Sequence, residues 1–247
     1  MKIIDVHTHL RGESFGMHPC TADTLRKEFV NEGLCGAWLM TTDGLLGNTK
    51  ANNDILAETT QGHLDFFIPF CTVNPHDGEQ QAIAELIRAK EKLGMRGLKL
   101  HSWLQAFSLT HPAVLPIMQK AGKLNLPVLF HDGTPPYSTP LQIAAVAEKV
   151  PDTTIILGHA GLDDLYKDAV LACNRLKNVF LCTCGLSSGL LNYVIENCPI
   201  EKILFGSDGG FGIAGTVEEL IDKVLATDAD NKSLQKIFYD NAKRILP

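Results

Sequence analysis

The stretch Ile3–His9, with the sequence IIDVHTH, begins as a short apolar run and ends in two histidines. Seven further short runs rich in Val, Ile, Leu and Phe follow, each leading into a polar loop and a segment of helical periodicity. The eight runs begin near Ile3, Ala37, Phe66, Gly97, Pro127, Thr154, Val179 and Ile203. Their starts lie 34, 29, 31, 30, 27, 25 and 24 residues apart. That is the length of a strand, a loop, a helix and a return loop, so the spacing predicts parallel strands alternating with helices.

Eight such units occupy the whole length of 247 residues. This predicts one domain over residues 1–247 with the α/β class and a (β/α)8 TIM barrel, regular or slightly distorted. The final segment, Asn231–Leu246, is expected to be a helix on the outside of the barrel. A doubly wound open sheet is the alternative, although the sequence has neither a Gly-rich dinucleotide loop after its first strand nor a P-loop.

The charge balance narrows the classes of partner. The chain has 22 Lys and Arg against 28 Asp and Glu, a net charge of −6, without a dense basic run. Nucleic-acid and anionic-membrane partners are therefore disfavoured. The polar opening lacks the apolar stretch of a signal peptide, and no apolar run is long enough for a bilayer, so we expect a cytoplasmic protein. The seven cysteines are scattered without a CxxC pair and are expected to be reduced, mostly buried thiols.

Polar residues close five of the eight runs. These ends are Asp5-Val6-His7-Thr8-His9, Lys99-Leu100-His101, Phe130-His131-Asp132-Gly133, Gly158-His159-Ala160-Gly161 and Gly206-Ser207-Asp208. In a parallel barrel the carboxyl ends of the strands meet at one rim, where barrel enzymes place their chemistry. Residues two apart on a strand share a face, so His7 and His9 can both point to the barrel axis. Several imidazoles and a carboxylate at one rim suit Zn²⁺ or another divalent transition metal, and a polar rim without metal is the alternative.

The motifs DVHTH, GLKLHS, LPVLFHDGTPP, IILGHAG and FGSDGG, in that order and spacing, resemble the amidohydrolase superfamily of metal-dependent barrels. More narrowly, they resemble its short single-domain branch, which includes aminocarboxymuconate semialdehyde decarboxylase, related aryl decarboxylases and lactone hydrolases. The resemblance implies a divalent metal, Zn²⁺ first and Mn²⁺ or another transition metal as alternatives. It implies the metal ligands His7, His9, His131 and Asp208. It also implies that His159 is a catalytic electrophile or a ligand to a second metal.

Two positions depart from this branch. Arg11 follows His-Thr-His-Leu, where the branch often has another residue, and its placement is similar to the arginine with which dihydroorotases bind a substrate carboxylate. A solvated surface arginine is the alternative. The segment after Asp208 is Gly209-Gly210-Phe211-Gly212, without the proline expected from the resemblance, which bears on the shape of the substrate loop.

Six residues are expected to bind substrate: Arg11, Lys99, His101, Trp103, Tyr137 and Phe211. Lys99 and His101 share one face of the fourth strand. Lys99 is either a carbamylated bridge between two metals, as in binuclear members of the superfamily, or a free ammonium that contacts Asp208 or an anionic substrate. His101 orients substrate or makes a supporting hydrogen bond. The three aromatic residues follow strand ends and are expected to wall an apolar pocket.

These residues lead first to a metal-dependent hydrolase. Metal-activated water would attack a lactone, ester or amide of a small carboxylate-bearing substrate. Asp208 would serve as base and then acid, and His159 would stabilise the oxyanion. The alternative is a non-oxidative decarboxylase of an aryl or unsaturated carboxylic acid, with Arg11 or His101 holding the departing carboxylate. A non-catalytic metal-binding or ligand-binding barrel is a further hypothesis.

A phosphodiesterase is disfavoured. It would usually need a Glu at a strand end as a further ligand and a basic rim, and the sequence shows neither. The expected partner is a small-molecule substrate. The assembly state, monomer or homodimer, stays open.

Overall fold

The structure is a computed structural model that describes residues 1–246, apart from the Phe15 side chain. Its single sheet has eight strands paired in chain order, and each neighbouring pair is parallel. The strands are β1 Ile4–Leu10, β2 Gly36–Thr41, β3 Phe67–Thr72, β4 Gly97–Leu100, β5 Val128–Phe130, β6 Ile155–Leu157, β7 Val179–Cys182 and β8 Ile203–Leu204. Each strand begins within about one residue of a predicted apolar run. The (β/α)8 TIM barrel is therefore confirmed, and the open doubly wound sheet is wrong.

Helices alternate with the strands. They are α1 Ala22–Asn31, α2 Asp43–Leu46, α3 Thr49–Thr60, α4 Glu79–Glu91, α5 Val114–Lys123, α6 Pro140–Ala147, α7 Leu162–Arg175, α8 Ser188–Asn197, α9 Thr216–Leu225, α10 Asn231–Gln235 and α11 Asn241–Ile245. Local sequence sets their starts. Thr139 caps α6 in a reciprocal pair with Gln142, and Pro140 fills the first helical position, where its missing N–H is not needed.

The predicted final helix is present, but only part of it covers the outside of the barrel. A π-helical turn, Lys236–Asp240, joins α10 to α11. Ile237 and Phe238 pack in the outer cluster between strands and helices. Ala242 and Leu246 instead pack with the side chains of the barrel interior. The segment therefore also closes the barrel next to β8 and β1, because its last turn carries apolar residues on the side that faces inward.

The join between β8 and β1, here called the seam, lacks a regular ladder. β8 has two residues, and among the described residues the contact between the two strand ends includes only an isolated bridge between Thr8 and Gly209. Three backbone hydrogen bonds cross the seam: Val6 N to Phe205 O at 2.9 Å, Asp208 N to His7 O at 2.9 Å and His9 N to Gly209 O at 2.8 Å. The barrel thus closes through bonds that include the backbone of the predicted metal ligands.

A buried carboxylate reinforces the seam. Asp5 is fully buried, and its Oδ1 accepts hydrogen bonds from the backbone N–H groups of His7 at 2.9 Å and Ser207 at 3.1 Å. Its Oδ2 accepts from the Ser207 hydroxyl at 2.5 Å. Burial raises the pKa of Asp5 to about 7, and the three hydrogen bonds oppose that rise. Asp5 therefore ties the first strand to the turn that follows the last strand.

Below the rim, the barrel is filled by apolar side chains. They are Ile4, Val6, Trp38, Met40, Phe70, Leu129, Ile156, Cys182, Cys184 and Leu204. Trp38 and Phe70 stack with ring centroids 4.9 Å apart. A packed floor of this kind confines polar chemistry to the carboxyl ends of the strands. In the part of the chain that the structure describes, no helix is long and apolar enough to cross a membrane.

Replacing the seam carboxylate tests this account of closure. We expect Asp5→Ala to lower the free energy of unfolding by about 3 kcal/mol, because two buried N–H groups and a hydroxyl lose their acceptor. Asp5→Asn keeps one carbonyl oxygen and should cost about half as much. Urea denaturation followed by circular dichroism measures both. The exposed Asp152→Ala is the matched control, and an Asp5→Ala variant as stable as that control would contradict the role.

Candidate metal centre and active site

Three of the predicted metal ligands converge at the seam. His7 and His9 lie on β1, and Asp208 follows β8. Asp208 Oδ1 is 3.3 Å from His7 Nε2 and 2.9 Å from His9 Nε2. One ligand atom from each residue lies within 4.8 Å of the other two. Both histidines are buried and the Asp208 side chain is 38% exposed, so the group is open on the side of the carboxylate.

The hydrogen bond made by His7 Nδ1 sets the tautomer in which Nε2 can act as a metal ligand. Its Nδ1 is 3.1 Å from the carbonyl oxygen of Gly158, to which it donates its proton in the neutral ring. Nε2 then carries the lone pair and faces the Asp208 carboxylate. A backbone carbonyl that fixes the tautomer in this way is the usual support of a metal-binding histidine. The donor set of two imidazole nitrogens and a carboxylate oxygen therefore fits a divalent transition metal.

The ionisable groups at the centre have pKa values shifted by burial and by one another. Burial lowers the pKa of His7 and His9, so both rings are neutral at pH 7. Burial works to raise the pKa of Asp208, but His7 and the hydrogen bond from His9 hold it well below its usual value. Buried Lys99 places its Nζ 2.7 Å from His7 Nε2, and burial lowers its pKa to about 8. An unmodified Lys99 thus places a positive charge directly beside the predicted metal ligands, and its carbamylation as a bridge between two metals stays a prediction.

The turn after β8 is shaped by close approach to β1. Asp208 has a φ of 58°, a left-handed conformation that Asp tolerates better than most residues. At Gly210 a Cβ atom would lie 2.0 Å from the carbonyl oxygen of His9. The turn therefore needs glycine at position 210, within the segment in which the resemblance suggested a proline. It brings Phe211 onto the His9 ring, with centroids 4.9 Å apart and planes at 26°.

A second group of imidazoles lies beside the first. His131 Nδ1 is 2.8 Å from His159 Nε2, and the His101 ring stacks on His131 with centroids 3.8 Å apart. The His159 ring centroid is 5.0 Å from that of His7. Burial lowers the pKa of His159 to about 4 and that of His101 to about 2, so these rings are neutral. His131 is not one of the three residues with converging ligand atoms, and its role as a metal ligand stays a prediction.

The sequence interpretation missed the residue that positions His159. Asp132 is buried, and its carboxylate accepts from the backbone N–H groups of His159 and Gly161, each at 2.6 Å. Burial raises its pKa to about 6 despite these hydrogen bonds. The signal was present in the motif Phe130-His131-Asp132, where a carboxylate directly follows a strand. Asp132 fixes the turn that carries His159 and does not face the metal group.

Arg11 lies next to the centre, but its guanidinium is engaged. It makes a two-pronged ion pair with Glu28 of α1, at 3.0 Å and 2.7 Å. Its NH1 also donates to the carbonyl oxygen of Gly210 at 3.3 Å. Arg11 therefore holds the turn after β8 against α1. Binding of a substrate carboxylate by Arg11 stays a prediction, and it would have to compete with Glu28.

The remaining predicted substrate residues lie around the rim. Trp103 is 53% exposed, with its ring centroid 6.1 Å from that of His101. Tyr137 is 38% exposed in the loop after β5. His101 is itself held by the loop that follows it, because its Nδ1 accepts from Leu104 N at 3.4 Å. Trp103 is thus close to the histidine group and open to solvent, as a wall of a binding pocket would be.

Comparison with known proteins identifies the family of the chain. The model of the amidohydrolase family matches residues 4–247. The chain belongs to this family. A comparison with curated proteins finds no match.

Among solved structures, the chain resembles 2,6-dihydroxybenzoate decarboxylase in complex with 2,6-dihydroxybenzoate, at 17% identity and a TM-score of 0.75, over 99% of this chain and 98% of the other. It resembles a dihydroxybenzoic acid decarboxylase from Polaromonas sp. JS666 with bound manganese and the inhibitor 2-nitroresorcinol, at 16% identity and a TM-score of 0.76, over 99% and 96%. It also resembles 4-oxalomesaconate hydratase from Rhodopseudomonas palustris, at 17% and 0.72, over 98% and 95%. At sequence identities of 16% and 17%, these similarities establish that the folds are alike.

A double-mutant cycle tests whether Arg11 and Glu28 act on each other. We expect Arg11→Met and Glu28→Gln to be coupled by about 1 kcal/mol in the free energy of unfolding, a small value because Glu28 is 39% exposed and screened by solvent. Urea denaturation of the two single variants and the double variant gives the coupling. Additive effects would mean that the pair does not hold Arg11 in place and would favour the substrate-binding role.

Proposed function

We propose that the chain is a metal-dependent enzyme that decarboxylates an aryl or unsaturated carboxylic acid without oxidation. The observation that carries the proposal is the convergence of His7, His9 and Asp208 beside the neutral imidazole of His159. Phe211, stacked on His9, gives this centre an aromatic wall. The decarboxylases among the similar structures support the proposal, and one of them contains manganese. The proposal prefers the alternative of the sequence analysis over hydrolysis.

His7, His9 and Asp208 would hold the metal, with Mn²⁺ or Zn²⁺ as the candidates. The cation would act as a Lewis acid on a substrate oxygen. Two neutral imidazoles and one carboxylate leave a net positive charge with a divalent ion, which suits an anionic substrate. Lys99 adds a further positive charge next to His7 and would offset the substrate carboxylate.

Decarboxylation breaks the bond between the carboxyl group and its carbon. The electron pair stays on that carbon, which must take up a proton as CO₂ leaves. His159 is the proposed carrier of this proton, because its ring lies beside His7 and its Nε2 shares a hydrogen bond with His131 Nδ1. His159 is neutral at rest, so it would take up a proton from solvent through the hydrogen bond with His131 before each transfer. Asp132 keeps the turn that carries His159 in place during this exchange.

Hydrolysis is the second candidate, and one observation favours it. Asp208 has a strongly lowered pKa and a partly exposed side chain, so an ionised carboxylate meets solvent at the centre. In that position it would accept a proton from an attacking water and return it to a leaving group. His159 would then stabilise the developing oxyanion. The two candidates use the same residues. They differ in the reaction at the centre, because hydrolysis adds water to the substrate and decarboxylation releases CO₂ from it.

Metal content is the first test. We expect about one Mn²⁺ or Zn²⁺ per chain in the wild type and a large loss in Asp208→Asn, because the variant removes the one carboxylate of the donor set. Elemental analysis after equilibrium dialysis against each metal measures the stoichiometry. The matched control is His18→Ala, which removes an exposed histidine and should leave metal content unchanged. Equal content in the wild type and Asp208→Asn would contradict the centre.

Turnover is the second test. With Mn²⁺ present, we expect release of CO₂ from a panel of hydroxybenzoic and unsaturated carboxylic acids, and loss of the activity on chelation. His159→Asn should lower kcat by about 10²-fold or more while metal binding persists, because the proton donor is removed. Turnover of lactones or nitrophenyl esters in place of the acids would support hydrolysis. A metal-loaded chain that turns over neither class would contradict both enzyme candidates.

A further inference from the structure

Two cysteines lie directly beneath the proposed metal centre, and the proposed function does not use them. Cys182 ends β7, and Cys184 follows it. Both are buried, with their sulfur atoms 3.9 Å apart. From the sequence, the cysteines are expected to be reduced, mostly buried thiols. Their neighbours are nevertheless polar, because Cys184 Sγ lies 3.4 Å from His7 Nδ1 and 3.3 Å from His159 Nδ1.

We propose that Cys182, Cys184 and His7 Nδ1 form a second cation site that is selective for thiophilic metals such as Zn²⁺, Cu⁺ or Cd²⁺. One ligand atom from each of these residues lies within 4.8 Å of the other two. His159 Nδ1, on the other side of Cys184, is a fourth nitrogen next to the set. This site shares the His7 ring with the one formed by His7 Nε2, His9 and Asp208, but it uses the other ring nitrogen and does not depend on the reaction that the enzyme catalyses.

The distances agree with the size of such a site. A tetrahedral Zn²⁺ with Zn–S bonds near 2.3 Å places two sulfur atoms about 3.8 Å apart, and places sulfur and nitrogen about 3.5 Å apart. The chain has 3.9 Å between the two sulfur atoms and 3.4 Å between Cys184 Sγ and His7 Nδ1. Two thiolates and an imidazole are also the donor types that select thiophilic metals over Mg²⁺, Ca²⁺ or Mn²⁺. Cys182 Sγ and the His7 ligand atom lie within 4.8 Å of each other, so the three atoms surround one position.

Binding would replace hydrogen bonds that the cluster now makes. The Gly158 carbonyl oxygen accepts from Cys184 Sγ at 2.8 Å and from His7 Nδ1 at 3.1 Å. A cation would take the place of the two thiol protons, which would pass to solvent. The Nδ1 proton of His7 would move to Nε2 when the first site is empty, and would pass to solvent when a metal is bound to Nε2. Because both edges of the His7 ring are involved, the two cation sites lie on opposite sides of one imidazole.

Titration with Cd²⁺ tests the site through ultraviolet thiolate-to-metal charge-transfer absorption, which the nitrogen and oxygen ligands of the first site do not produce. The wild type should give one saturating equivalent per chain. Asp208→Asn should keep the band, since the first site is not involved. Cys184→Ser should lose about half or more of the band, and a variant with both Cys182→Ser and Cys184→Ser should lose all of it.

The controls separate this site from other thiols and from misfolding. Cys71→Ser removes another buried thiol, and Cys35→Ser removes an exposed one, so both should match the wild type. Circular dichroism checks that each variant is folded. A parallel sample is refolded in the presence of Cd²⁺, so that slow diffusion of the metal into the buried site does not hide binding. A wild type without the band in both samples would overturn the proposal. A band that survives in the double variant or is lost in Cys35→Ser would also overturn it.

Discussion

The buried carboxylate of Asp5 is the interaction on which the arrangement of the rim depends. Strands β7 and β8 pair through a ladder, but β8 and β1 meet through a few backbone bonds and through this side chain. Asp5 accepts from the backbone of His7 on one side and from Ser207 on the other. Because Asp208 follows Ser207 directly, the same carboxylate that closes the barrel also sets Asp208 opposite the histidines of β1. The contacts that close the barrel are therefore also the contacts that assemble the site.

The fold was predictable because the buried strands of a parallel barrel recur in the sequence as apolar runs at regular intervals. Apolar runs of strand length recur at the spacing of one βα unit, and the strands begin where these runs begin. The same reasoning placed His7, His9 and Asp208 together, since carboxyl ends of parallel strands share a rim whatever the loops do. The position of a side chain at a strand end is thus a consequence of topology, which the sequence pattern specifies.

The partners of these side chains were harder to predict, because they depend on how loops and helices are oriented. Glu28 is a helical residue that the sequence analysis did not single out, and only the packing of α1 against the turn after β8 brings it to Arg11. Likewise, His131 closes a strand as expected, but the direction of its ring toward His159 follows from the turn that Asp132 fixes. Cys182 and Cys184 were expected only to be reduced and mostly buried, since alternation along β7 does not reveal that a histidine of β1 lies beside Cys184.

The position of Lys99 bears on the choice between the two proposed reactions. Its ammonium is buried and lies 2.7 Å from His7 Nε2, so any anion at the centre is attracted by the lysine as well as by the metal. A substrate carboxylate gains from both charges in the ground state. That attraction weakens as the carboxylate becomes neutral CO₂, so the site must also stabilise the charge that appears on the remaining carbon and its conjugated oxygen. A metal beside such an oxygen would meet that need.

Hydrolysis would place the same charges next to an oxyanion that grows in the transition state. The attraction between Lys99 and the substrate therefore weakens toward the transition state of decarboxylation and strengthens toward that of hydrolysis. The charge of Lys99 thus distinguishes the two reactions.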